Sequence, residues 1–281
     1  TGVQTCALPI CAQGQFDAGS LMAAWVGFTF HLPIFIEIPF VMIFGCLFGA
    51  IVGSIAGALK AYRGIHEVIS TIMLNGIVSA IVTYMARVQW VDKKLSIIQT
   101  KGINKSAFLP HISGFTTGFI IAVIVAFIAH YVFRNTVSGF QLATLGANKF
   151  AALYAGISIK KTMVTAMLTS GAIAGLAGAL EVMGSSHFYS PSYAPNVGFD
   201  GITIALFARV NPIAIVPAAF LIGGFRSASP SVQFDTGINQ DNFSVSLQSY
   251  YSQVFYESTK TSVWFDRVAS FNELNGGTLN Y

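Results

Sequence analysis

Charged side chains are scarce in this sequence. Asp, Glu, Lys and Arg make up 9% of the 281 residues, whereas 54% are hydrophobic, and a soluble domain carries roughly 25% charged residues. Most of the protein surface therefore cannot face water. The formal net charge of +4 is modest and scattered along the chain, so it gives no sign of a nucleic-acid partner.

The sequence also lacks the residue patterns of catalytic and metal sites. Its three cysteines have no metal-ligand spacing and suggest no disulfide framework, and the histidines show no ligand spacing either. The apolar runs contain no paired carboxylates, and the GxxxxGK[ST] pattern of a phosphate-binding loop is absent. We therefore expect no enzymatic activity, no metal site and no cofactor bound by this chain itself.

Long apolar runs are what the sequence does contain. Residues 38–59 and 115–133 include no Asp, Glu, Lys or Arg, and about 20 apolar residues suffice to cross a bilayer as a helix. The runs lack the alternation of barrel strands. Further spans are predicted at residues 68–86 and 163–184, with a hydrophilic loop at 87–114. The fold class is therefore all-α, a polytopic bundle of transmembrane helices.

One apolar stretch is interrupted. Residues 201–225 are long enough to cross a membrane, but RVNP at 209–212 breaks them, because proline removes a backbone donor and restrains the residue before it. We predict a broken or half-length helix pair here, after a turn-rich loop at 185–200. Transporters place broken helices beside their pathways, although a tight loop between two tilted helices would give the same pattern. Residues 21–32 are too short to span alone, and form either the end of a span or a half-helix.

Small residues recur every four positions on two of the predicted spans. Lipid supplies no hydrophobic drive between helices, so bundles pack where small residues let two backbones approach. These stripes therefore predict packing surfaces and no ligand. Their members are Gly45, Gly49, Gly53 and Gly57 on the first span, and Ser170, Ala174 and Gly178 beside Gly171, Gly175 and Ala179 on the last.

Three segments together carry a family resemblance. They are LKAYRGIHEVISTIMLNG at 59–76, LGANKFAALYAGISIKKT at 145–162 with the span after it, and NVGFDGITIALFARVNP at 196–212. In this order they strongly resemble the membrane subunits of bacterial ABC importers. The nearest group is the nucleoside permeases that partner a basic-membrane-lipoprotein-type binding protein, which are related to ribose and branched-chain amino-acid permeases. The resemblance covers residues 12–241, and QGQ at 13–15 looks like a degraded copy of a glycine-glutamine motif of that family.

The resemblance implies a function, partners and a location. The chain would be the permease subunit that forms the translocation pathway for nucleosides in the plasma (inner) membrane of a bacterium, crossing it several times. An ABC ATPase would bind the ATP, a second permease would complete a heterodimer, and a lipoprotein would deliver the substrate. A simple-sugar (ribose-type) permease is the alternative. An ion-coupled secondary transporter is a more remote one, since only Glu181 and Arg209 offer charge near the spans.

The resemblance also gives residues 145–162 a role as a cytoplasmic loop that docks on the ATPase. Asn148 can cap a short helix and Gly156 can end it, and helical spacing would put Phe150, Leu153, Tyr154 and Ile157 on one apolar side. Ala151 and Ala152 would leave room for the partner surface. A basic loop with a capped amphipathic turn is the alternative. The residues assigned to coupling are Gly146, Asn148, Lys149, Ala151, Ala152, Gly156 and Ile157.

Three polar residues are candidates for the substrate pathway. Thr71 and Asn75 lie one turn apart on a predicted polar stripe, where they could bind a ribose or base, or a neighbouring helix. Asp200 could touch the substrate, or cap a helix that begins at Gly201. The basic residues of the loops are divided almost equally between the two faces, so charge alone does not orient the chain.

Both ends of the sequence depart from this family pattern. Residues 1–11 resemble translated sequencing-adapter read-through, with a genuine short arm as the alternative, and the spans that precede the resemblance in the family are missing. Residues 242–281 lose the expected last span and become polar, as a reading-frame shift near Asn242 would cause, or as a real soluble tail would. The predicted organisation is therefore a leader at 1–11, a permease domain at 12–241 truncated at its N-terminus, and an aberrant tail at 242–281.

Overall fold

The computed structural model describes residues 12–65, 67–91, 98–112, 115–191, 197–209 and 211–236. Most of this part is helical, which confirms the predicted all-α bundle, and a short hairpin of β1 (His111–Ile112) and β2 (Phe115–Thr116) is added to it. The predicted leader and tail lie outside the described residues. The helices are α1 (Gln13–Thr29), α2 (Ile34–Arg63), α3 (Glu67–Tyr84), α4 (Thr117–Asn135), α5 (Val137–Ala147), α6 (Lys149–Tyr154), α7 (Ile159–Glu181), α8 (Val197–Phe207) and α9 (Pro212–Thr236).

The predicted spans are confirmed in the described residues. Four helical segments there are long and apolar enough to cross a membrane, namely Ile34–Arg63, Ile69–Gln89, Thr117–Asn135 and Ile159–Ser186. Two of them end in a π-helical turn, after α3 and after α7. The chain is therefore a multi-pass membrane protein.

The short apolar stretch predicted at residues 21–32 belongs to α1, which begins earlier, at Gln13, and ends at Thr29. Its 17 residues are buried along most of their length. Ala23, Ala24 and Val26 have no exposed surface. Because α1 is covered on nearly all sides, it is the central helix of the first of two compact units, Thr1–Ile202.

Glycine contacts hold α2 against α7. A methyl group added to Gly49 would lie 2.7 Å from the Cα atom of Gly175, and one added to Gly171 would lie 3.0 Å from the Cα atom of Gly53. Only glycine permits this separation, which lets the backbones gain dispersion contacts directly. The predicted packing stripes are thus confirmed. On α7 the residues that meet the glycines of α2 are Met167, Gly171, Gly175 and Ala179, whereas Ser170 and Ala174 are only half-buried.

The same helix α7 also packs on α1, through different residues. A methyl group on Gly178 would meet the backbone amide of Ser20 at 2.9 Å, and Gly19 lies against the backbone of Gly175. α1, α2 and α7 therefore form a three-helix core whose backbones approach one another closely.

Part of the hydrophilic loop predicted between α3 and α4 covers one end of this core. We call residues 98–109 the cap segment. Thr100 donates its amide to the carbonyl of Tyr189 at 2.9 Å and accepts the Tyr189 amide on its hydroxyl at 3.0 Å, and Ile103 donates to the carbonyl of His187 at 2.9 Å. The cap segment is therefore bound to the chain that follows α7.

The opposite end of the core holds the end of α2 and the start of α7. The ammonium group of Lys160 lies 5.4 Å from the centre of the Tyr62 ring, within the range of a cation–π contact. α2 ends nearby at Arg63 and is capped by Gly64, whose φ of 67° is the left-handed conformation that terminates helices. Since α6 ends just before α7 begins, α6 belongs to this end and the cap segment to the other.

The second compact unit begins at Thr203, within α8. α8 is followed by a turn at Ala208 and Arg209, and Asn211 then starts α9 by accepting the Ile213 amide on its side-chain oxygen at 3.2 Å. The predicted interruption of this helix pair is confirmed. Of the two helices, α8 has about half the length of a span, with 11 residues, whereas α9 continues for 25 residues.

Candidate functional site

The segment between α4 and α7 folds as two short helices. Thr136 caps α5 by accepting the Gly139 amide on its hydroxyl at 3.3 Å. Asn148 caps α6 in the predicted way, since its side-chain oxygen accepts the amides of Phe150 at 2.9 Å and Ala151 at 3.3 Å. These bonds satisfy amide groups that a helix start leaves without partners.

The end of α6 is also the predicted one. Gly156 adopts a φ of 73° and donates to the carbonyl of Leu153, while Ile157 donates to the carbonyl of Ala152, both at 3.0 Å. Together these bonds make a Schellman motif, in which a left-handed residue lets two carbonyl groups at the helix end find donors. Both ends of α6 are therefore fixed by residues that the sequence identified.

The two sides of α6 differ from the prediction. Phe150, Leu153 and Tyr154 are 73%, 60% and 92% exposed, and they form an apolar surface that nothing in the described chain covers. Ile157 was predicted to join this surface, but it is buried. The Schellman turn reverses the chain, so Ile157 points back under the helix.

Ala152 also lies on the buried side of α6. It has no exposed surface and packs with Leu145 and Ile157, with Ile159 at the edge of the cluster. The expectation that Ala152 leaves room for a partner is therefore wrong, because its methyl group is enclosed by its own chain. Ala151 is exposed as predicted, Lys149 is exposed, and Gly146 is buried at the end of α5.

The pathway candidates on α3 are used in packing between helices. Thr71 is buried at 1% exposure, and the side-chain oxygen of Asn75 accepts the backbone amide of Gly14 at 3.0 Å. Gly14 is glycine because a methyl group there would stand 2.7 Å from that same oxygen. The sequence left two roles open for Asn75, a bond to the substrate or a bond to a neighbouring helix. The structure shows the bond to a neighbouring helix.

The start of α8 meets the same point of α1. The side-chain oxygen of Gln13 accepts the amide of Gly198 at 2.7 Å, so Gln13 and Gly14 join α1 to both α8 and α3. α8 begins at Val197, and Asp200 is therefore in its first turn. The prediction that Asp200 caps a helix beginning at Gly201 is wrong, since the helix has already started.

Sequence reasoning missed the polar residues of α1. Gln15 is 1% exposed and its side-chain oxygen has no hydrogen-bond partner in the described structure. Asp17 is 8% exposed and accepts the side-chain amide of Gln13 at 3.0 Å. The available signal was a carboxyl group and two amides at the start of an otherwise apolar helix, since such groups are costly in a membrane and mark functional positions.

The described residues contain no group of three His, Cys, Asp or Glu side chains that could hold a metal ion. The arrangement instead combines an exposed apolar helix at one end of a membrane bundle with polar groups enclosed in its core. An exposed apolar surface on a short helix can bind a partner protein.

Comparison with known proteins assigns the family. The family described as branched-chain amino acid transport system / permease component matches residues 10–256. The guanosine ABC transporter permease protein NupP of Bacillus subtilis is 35% identical over 235 residues, which cover 82% of this chain and 68% of NupP. No solved structure gives a significant match.

Two further relatives have related names. The nucleoside ABC transporter permease protein NupB of Lactococcus lactis is 36% identical over 235 residues, covering 79% of this chain and 65% of NupB. The glucose ABC transporter permease protein TsgB13 of Haloferax volcanii is 26% identical over 242 residues, covering 82% of this chain and 64% of TsgB13. The chain thus spans about two thirds of the length of these relatives. It belongs to the permease-component family of the branched-chain amino acid transport systems, whose members here are the membrane subunits of ABC transporters.

Proposed function

We propose that this chain is the transmembrane subunit of an ATP-driven importer in the bacterial inner membrane, and that it forms the translocation pathway for nucleosides. The observation that carries the substrate assignment is the difference in identity. The two relatives named for guanosine or nucleosides are 35% and 36% identical to the chain, whereas the relative named for glucose is 26% identical over a similar length. A simple-sugar permease is the second candidate, because that glucose relative covers the chain as fully.

The exposed side of α6 supports an ATPase as the first partner. Phe150, Leu153 and Tyr154 present apolar area on a helix that is pinned at both ends and carries Lys149 beside them. Short preformed helices of this kind suit docking into a groove of a partner protein. In this proposal ATP is bound by the ATPase and by no residue of the permease, which needs no cofactor of its own.

One face of α3 supports a second permease subunit. Gly76 has no atom within 4 Å of the position that a methyl group would take, and Ser79 on the next turn is exposed. A small residue and an uncovered hydroxyl are typical of an interface between membrane helices. We infer that a related permease covers this face in a heterodimer, and that a lipoprotein binding protein delivers the substrate on the side of the cap segment.

The test is transport by the complete system. The full-length permease, its ATPase, the second permease and the binding protein are reconstituted in liposomes, and uptake of labelled guanosine, adenosine, ribose and glucose is measured with and without ATP. We expect ATP-dependent uptake of the nucleosides and competition between them. Uptake of the sugars alone would establish the second candidate, and uptake driven by an ion gradient without ATP would refute an ABC importer.

A further inference from the structure

Basic side chains from two helices meet at the end of the bundle that carries α6. α2 and α7 run antiparallel, and the last of their glycine contacts is at Gly57, where an added methyl group would lie 3.3 Å from the Cα atom of Val164. Within two helical turns of that contact come Arg63, at the end of α2, and Lys160 and Lys161, in the first turn of α7. All three side chains are exposed, and we call them the basic patch.

A contact between the two helices holds this patch together. The ammonium nitrogen of Lys160 lies 5.4 Å from the centre of the Tyr62 ring, within reach of a cation–π interaction. The contact places the start of α7 beside the last turn of α2, which contains Arg63. Tyr62 itself is 68% exposed, so the ring and the cation above it are both on the outer surface of the bundle.

Acidic residues that could neutralise the patch are scarce. Residues 38–66 and 93–180 include no Asp or Glu, and the nearest acid along the chain is Glu67, which begins α3. The two lysines do not stabilise their own helix either, because positive charge at a helix start opposes the macrodipole, and the first turn of α7 contains no acidic residue. The patch therefore fits an anionic partner from outside the chain.

The position of the patch at the membrane surface indicates which partner this is. α2 carries a stripe of exposed apolar residues at four-residue intervals, which face lipid in a membrane span. They are Ile43, Leu47, Ile51 and Ile55. Tyr62 follows two helical turns after Ile55 and lies on the same face. Since the apolar run ends at Leu59, Tyr62 and the patch emerge at the level of the lipid headgroups, where tyrosine and basic side chains are typical.

We propose that the basic patch binds the headgroup of an anionic phospholipid in the cytoplasmic leaflet. The guanidinium of Arg63 can hold a phosphate through two parallel hydrogen bonds, and Lys160 and Lys161 supply further charged donors. A zwitterionic headgroup fits less well, because its own ammonium group would meet these cations. The choice of leaflet rests on the proposed function, which puts α6 in the cytoplasm, whereas the binding itself does not depend on the transported substrate.

The experiment titrates the full-length permease in detergent with phosphatidylglycerol and measures binding by native mass spectrometry. The variant replaces the whole patch by glutamine, with Arg63→Gln, Lys160→Gln and Lys161→Gln. Each Lys or Arg at an anionic membrane surface contributes about a factor of five, so the affinity for phosphatidylglycerol should fall by about tenfold or more. Phosphatidylcholine with the same acyl chains should bind the wild type more weakly, and should bind both proteins equally.

The matched control removes three exposed basic side chains from the other end of the bundle, with Arg87→Gln, Lys101→Gln and Lys105→Gln. It should keep the wild-type affinity for phosphatidylglycerol. Thermal unfolding without lipid checks that both variants fold. Arg63→Gln alone should lower the affinity by about fivefold, which keeps the site testable if the triple variant of the patch does not fold.

Equal affinity of the patch variant and the wild type for phosphatidylglycerol would overturn the lipid site. The competing partner is the ATPase. If the patch variant binds phosphatidylglycerol normally but no longer retains the ATPase during co-purification, the patch belongs to the ATPase interface and the lipid site is refuted. Absence of nucleoside transport by the complete wild-type system would refute the proposed function, while the lipid affinities would still decide the site.

Discussion

A methyl group on Gly171 would stand 3.0 Å from the Cα atom of Gly53 on the facing helix. The two residues belong to stripes that the sequence places far apart, and they bring the backbones of α2 and α7 together. Because backbone faces backbone, no side chain can move aside to admit extra volume. This contact therefore determines how near the two longest helices of the first unit can lie.

Replacing Gly171 by leucine should destabilise the permease by about 3 kcal/mol or more, at the upper end of the cost of overpacking. The measurement is thermal unfolding of the full-length protein in detergent, followed by tryptophan fluorescence. Gly76→Ala on α3 is the matched control. It adds a methyl group in open space and should not destabilise the protein. Equal stability of the Gly171→Leu and wild-type proteins would contradict the observed packing.

The buried position of Ala152 decides which residue of α6 can test the coupling proposal. A charge at Ala152 would disrupt α6 from within, so its effect on coupling could not be separated from misfolding. Leu153→Glu instead places the charge on the exposed side. We expect the protein to insert and fold. Its affinity for the ATPase should fall by about a hundredfold, because an unpaired charge buried at an interface costs several kcal/mol. Less ATPase should therefore co-purify with it.

The control for this coupling test is Lys105→Glu in the cap segment, at the other end of the core. It should leave ATPase retention unchanged. If Leu153→Glu also retains the ATPase and transports normally, α6 is only a capped amphipathic turn in a basic loop, which was the alternative open at the level of the sequence.

The paired bonds between Thr100 and Tyr189 should hold the cap segment in place. Thr100 is fully buried, and Thr100→Val keeps its shape but removes the oxygen that accepts the Tyr189 amide. The orphaned amide should cost about 1–3 kcal/mol. Hydrogen exchange at the Tyr189 amide is the measurement, and it should accelerate more than exchange in α2. Thr165→Val, which removes an exposed hydroxyl on α7, should leave the Tyr189 amide protected.

Orientation in the membrane can be tested by cysteine labelling. Lys105 and Lys149 are both exposed and lie at opposite ends of the bundle. Each is replaced by cysteine in a protein whose native cysteines have been removed. A thiol reagent that cannot cross the membrane should label position 105 in intact spheroplasts and position 149 only after permeabilisation. The reverse labelling pattern would place α6 outside the cell and would exclude contact with an ATPase.

The features that the sequence determined depend on neighbouring residues. The spans follow from runs of apolar residues. Both ends of α6 follow from Asn148 and Gly156, whose bonds reach only to residues two to four positions away. The break before Pro212 has the same local origin, because it depends on one missing amide group. Interactions of this range are nearly independent of the rest of the fold, so the pattern alone predicts them.

Only the tertiary structure decided which polar and small residues face one another. The sequence could not show that Asn75 and Gly198 meet at Gln13 and Gly14, or that Ala152 is covered by Leu145 and Ile157. It could not show that Asp17 is buried either, because that burial exists only after α1 has packed on its neighbours. Helical periodicity determines which face of its helix each residue lies on. Whether that face is buried depends on helices far away in the sequence, through contacts as close as the one between Gly53 and Gly171.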